Sequence, residues 1–209
     1  MGLLLVASLF VAQTQARPAQ MFDARSQALF DDAVADFEDG KVRDSVEKFD
    51  ALAMREPAAA SRLWQRGLAL YYVARYKDCA DQFAANQKYN PSNVENLAWH
   101  FVCVARAESF DKARASVLSI VPDTSAPMLE LYDLLRGLTT PERVLAAAKA
   151  TGRPEAEFDA HYYLGLYYEA LGDAERTRIH ITAAAADRYA SLGMHSAARV
   201  HLRQLKQKR

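Results

Sequence analysis

The chain has 209 residues, 51% of them hydrophobic and 25% charged, enough apolar side chain for a sizeable core, which excludes disordered and fibrous classes. Its 26 Lys and Arg balance 26 Asp and Glu, so the basic footprint of a nucleic-acid or anionic-membrane binder is missing. With only 8 Gly and 7 Pro, tight turns are too few for a strand-rich fold, and an all-α architecture is expected.

At the N-terminus, Leu3 to Ala12 is almost wholly apolar and no charge occurs before Arg17. Thr14-Gln15-Ala16 offers the small residues a signal peptidase reads, so residues 1–16 are expected to be a signal peptide followed by a linker at 17–23. The apolar run is half of the roughly twenty residues a membrane helix needs, and no Cys follows it that would carry a lipid anchor. The mature chain is then secreted or periplasmic, with no stable membrane insertion. The alternative is a buried first helix in a cytoplasmic protein.

From residue 24 to 209 a single helical domain is expected. Ser45, Phe49 and Pro57 recur as Cys79, Phe83 and Pro91, each displaced by 34, a period that belongs to stacked helical hairpins. Units fall near 26–59, 60–93, 94–124 and 158–190, with a truncated hairpin at 125–152. Pro91, Pro141 and Pro154 stand where helices start and a missing N–H costs nothing. Met194, Ala198, Leu202 and Leu205 form one apolar stripe, which predicts a capping helix over 194–208.

The spacing resembles the tetratricopeptide (TPR) repeat. Gly67, Tyr76, Cys79, Phe83 and Pro91 hold its small, aromatic, small, aromatic and proline places, as do Ala33, Val42, Ser45, Phe49 and Pro57 in the first unit. Gly165, Thr177 and Ile181 match in the last, whereas Phe101 departs from the pattern in the third and Pro122 arrives early. The resemblance implies a right-handed superhelix of antiparallel hairpins, in which each small residue admits a large one from the second helix. It also implies a concave groove lined by Gln27, Phe30 and Phe37, by Trp64, Leu68, Tyr71 and Tyr72 with Arg75 at the mouth, by Glu95, Val102 and Arg106, and by Tyr162 and Glu169. Trp64 and Tyr71 suit groove and core equally, and Trp99 is expected in the core.

"AWHFVCVAR" and "HYYLGLYYEALGDAE" are similar to bacterial periplasmic TPR adaptors. What this implies is a non-catalytic scaffold that binds a protein or extended peptide through Trp, Tyr and Arg anchors. The basic clamp for a carboxylate-ended peptide is missing. The alternative is a homodimeric assembly module whose groove or last helix mediates self-association.

No catalytic residue, metal or cofactor is expected. The histidines at 100, 161, 180, 195 and 201 lack zinc-protease spacing, and no Cys-x-x-Cys, Gly-x-Ser-x-Gly or phosphate loop occurs. His100 and His161 are expected inside or at the rim. An enzyme would need a buried His–carboxylate pair clustered in a pocket. Cys79 and Cys103 can pair, but Cys79 stands where Ala is usual, so two reduced core thiols are the favoured reading.

Overall fold

The computed structural model describes residues 21–121 and 125–207, so the expected signal peptide, most of the linker and Pro122 lie outside the described residues. Among the described residues eleven α-helices follow one another: α1 (Ala24–Glu38), α2 (Val42–Arg55), α3 (Trp64–Tyr72), α4 (Tyr76–Asn86), α5 (Val94–Ala107), α6 (Phe110–Ala115), α7 (Met128–Leu135), α8 (Pro141–Thr151), α9 (Pro154–Leu171), α10 (Ala174–Ala184) and α11 (His195–Gln207). Single 3₁₀ turns occur at Ala60–Arg62 and Asp187–Tyr189. No strand is present among the described residues, and the chain is all-α.

Local chemistry sets the helix ends. Asp23, Asn93, Ser109 and Asp173 each accept a hydrogen bond from the backbone N–H three residues on, satisfying a donor that the first turn leaves open. Pro141 and Pro154 occupy first helical positions. Gly172 ends α9 with φ +84°, a left-handed conformation that costs glycine little and turns the chain into α10.

Consecutive helices then pack as α1 on α2, α3 on α4, α5 on α6, α7 on α8 and α9 on α10. The close approach expected at the small residues is present. A Cβ on Gly67 would lie 2.6 Å from the Phe83 ring, and one on Gly165 would lie 2.5 Å from Ile181. In the first hairpin Ala33 and Phe49 are both fully buried, and the Ser45 hydroxyl donates to the Ala33 carbonyl at 2.7 Å. The helix pairs therefore lock through a hole on one helix and a filled side chain on the other.

Across the hairpins, α5 is the hub and packs against α4, α6, α7 and α9. Its Trp99 stacks on Phe83 with centroids 5.9 Å apart and reaches Tyr162 of α9 at 6.1 Å, so an aromatic seam joins α4, α5 and α9. The reduced-thiol reading of the cysteines is corrected here. Cys79 of α4 faces α5, its Cα is 5.8 Å from that of Cys103, and the two form a disulfide. The small-residue place on α4 points into the next hairpin, which brings the second cysteine within bonding reach. Last, α11 packs on α10 and crosses back to α1.

Candidate functional site

The side chains expected to line a groove come from α1, α3, α5 and α9, and α11 covers part of the face they share. His201 of α11 is 1% exposed. Its Nδ1 lies 3.0 Å from the Tyr72 hydroxyl, its Nε2 lies 3.1 Å from Glu169 Oε2, and its ring stacks beside Tyr71 at 6.4 Å. The Arg203 guanidinium donates to the carbonyl of Glu38 at the end of α1. Burial, with Glu169 nearby, holds the Tyr71 hydroxyl well above its ordinary range, so this contact is made by a neutral phenol.

The expected groove residues therefore divide. Phe37, Leu68, Tyr71 and Tyr162 are buried, Glu169 is engaged by His201, and the Tyr72 hydroxyl is hydrogen-bonded with the same imidazole. Arg75 turns away to Asp50 of α2 and Asp78 of α4, both at 2.6 Å, and so belongs to a seam between hairpins. Arg106 is exposed but lies over the Tyr76 ring at 5.1 Å and donates to its hydroxyl at 3.0 Å. Phe30 is half-buried against Phe22 and Phe49. Trp64 alone of the aromatics in this set keeps a large free face, at 37% exposure.

Around Trp64 the uncovered part of the face forms two adjoining cavities. One, of about 180 Å³, is apolar and is walled by Phe30, Val34, Phe37, Leu68 and Ala197. The other, of about 380 Å³, is walled by Phe83, Glu95, Asn96, Trp99 and Tyr163. Trp64, Gly193 and Met194 belong to the walls of both. The buried His201–Glu169 pair lines neither and ties α11 to α9.

Charge in the larger cavity comes from one side. Among the described residues Glu95 is the only one of its wall with a formal charge, and burial pushes its carboxyl above the ordinary range against the pull of the Tyr163 hydroxyl. Behind it Asp159 is pushed up to about 7 by burial and by Glu95, with Arg153 acting the other way. Sequence reasoning placed Glu95 in the groove register but missed Asn96, Tyr163, Gly193 and Met194; Trp99, expected in the core, is 2% exposed and reaches this wall from there. The asparagines at 86, 90, 93 and 96, all on this wall, are the signal that marks the place, since such a run is unusual where two helices meet an apolar interior.

Elsewhere, His161 and His180 bring their Nδ1 atoms to 3.1 Å. Burial, then the neighbouring His161, lowers His180 to about 4. Among the described residues no group of three or more His, Cys, Asp or Glu is arranged to hold a metal ion, and no helix is long and apolar enough to cross a membrane. Comparison with known proteins finds no family model that matches the chain and no matching relative among curated proteins.

Proposed function

We propose that this chain is a TPR-like scaffold, a right-handed superhelix of helical hairpins that holds an extended segment of another protein and carries out no reaction of its own. The observation that carries the reading is the pair of cavities sharing Trp64. Two adjoining recesses with a rigid indole between them suit successive side chains of an extended peptide, and aromatic anchors of this kind concentrate binding energy. The Gly67–Phe83 and Gly165–Ile181 contacts support the repeat reading. The disulfide supports a secreted or periplasmic setting, since such bonds persist where the compartment is oxidising.

The test is selection of displayed peptides on the purified chain, repeated with Trp64→Ala after its helicity is shown intact. Trp64 is partly exposed, so the variant should fold and lose at least about 2 kcal/mol of peptide affinity. Equal binding by both proteins would remove the site. A stable dimer in solution with Trp64 shielded from quenchers would instead make self-association the function of this face.

A further inference from the structure

We propose that the larger cavity receives a cationic side chain, Lys or Arg, of the bound segment, with Glu95 as its counter-charge and the indoles of Trp64 and Trp99 as its walls. This rests on the peptide-binding reading and adds the chemistry of one anchor residue. Two observations converge on it. Among the described residues no Lys, Arg or His stands in the cavity wall, so the Glu95 charge has no basic partner there. The wall is aromatic, from Trp64, Phe83, Trp99 and Tyr163, and ring faces attract a cation most strongly where water is excluded.

A carboxylate half-removed from water with no counter-charge is a poor place for an anion and a costly place to leave empty. A guanidinium or ammonium supplies the missing charge, and its aliphatic stem lies along the apolar wall. The opposite sign is disfavoured twice over, by repulsion and by the ring faces.

The experiment uses the full chain at pH 8 and the indole N–H signals of its two tryptophans, both of which line this cavity. n-Butylguanidinium, pentanamide and pentanoate are titrated separately. The expected result is saturable movement of both indole signals by butylguanidinium, at least about tenfold weaker binding of pentanamide, and none of pentanoate. Glu95→Gln should weaken butylguanidinium by about tenfold, and Glu95→Asp should retain most of the binding, which separates charge from loss of fold. Equal binding of the cation and the amide, or an unchanged affinity in Glu95→Gln, would overturn the proposal. If peptides are selected through Trp64 yet carry no basic residue, the cation site fails and the scaffold stands. If butylguanidinium binds through Glu95 but no peptide is ever selected, the cation site stands and the peptide reading fails.

Discussion

Asp159 and His180 make opposite demands on the proton, and both follow from burial. Asp159 is held at about 7 instead of its ordinary 3.8, so the folded chain keeps this proton where the unfolded chain releases it. Its favourable contribution is complete below pH 3.8 and is lost as pH rises through 7. His180 is held at about 4 instead of 6.5, so its contribution is complete above pH 6.5 and is lost as pH falls through 4. The two slopes nearly cancel between those limits in the native chain. Asp159→Asn should unmask the histidine, giving a stability that rises from pH 4 to 6.5 and exceeds the native value at pH 8 by on the order of 1–2 kcal/mol, after solvent screening at a half-buried site. Urea denaturation at pH 4, 6.5 and 8 reads this directly; a flat difference between the two proteins across that range would mean that Asp159 titrates normally.

At the scale of elements, the α4–α5 pair is bound twice, by the Phe83–Trp99 stack and by the Cys79–Cys103 bond. Closing a loop of this length in the unfolded chain removes entropy worth about 3 kcal/mol. Reduction by dithiothreitol, or the double change Cys79→Ala and Cys103→Ala, should therefore lower stability by roughly 2–3 kcal/mol with helicity retained. No change in the denaturation midpoint on reduction would show that the bond is not formed in solution. This bond also marks what sequence reading reaches and what it does not. Gly67 with Phe83 and Gly165 with Ile181 are legible because a fixed spacing within one hairpin decides which residues meet. The meeting of Cys79 with Cys103 depends on how far one hairpin rotates on the next, and no spacing within a unit encodes that angle. Arg75 was misplaced in part for the same reason, since its partner Asp50 stands on α2 of the preceding hairpin, whereas Asp78, three residues on, is a local partner.

Over the whole molecule, the apolar stripe of α11 is plain in the sequence, but its destination is not. The stripe predicts a capping helix without saying what else it meets, and α11 also reaches α1 and sets His201 between Tyr72 and Glu169. The face is legible in part as a result: Phe30, Phe37, Trp64, Leu68 and Glu95 border the two cavities, and Tyr71 and Tyr162 are enclosed. His201→Ala removes a buried ring and two polar contacts and should cost about 2–4 kcal/mol. The loss should be accompanied by faster amide exchange in α11 and at the end of α1, because the seam between the first and last helices opens before the hairpins do. Uniform loss of protection across all helices would place His201 in an ordinary core position.

The Arg203–Glu38 contact joins residues 165 apart in sequence, and it sets a constraint on how this chain can change in length. Open helical arrays grow or shrink by whole units, because each unit touches only its neighbours. Here an added hairpin would carry α11 away from α1 and break the seal, and a deleted one would drive the two helices into each other. A change in the number of hairpins is therefore expected to cost the α1–α11 contact, which a change of length in a turn away from it would leave in place.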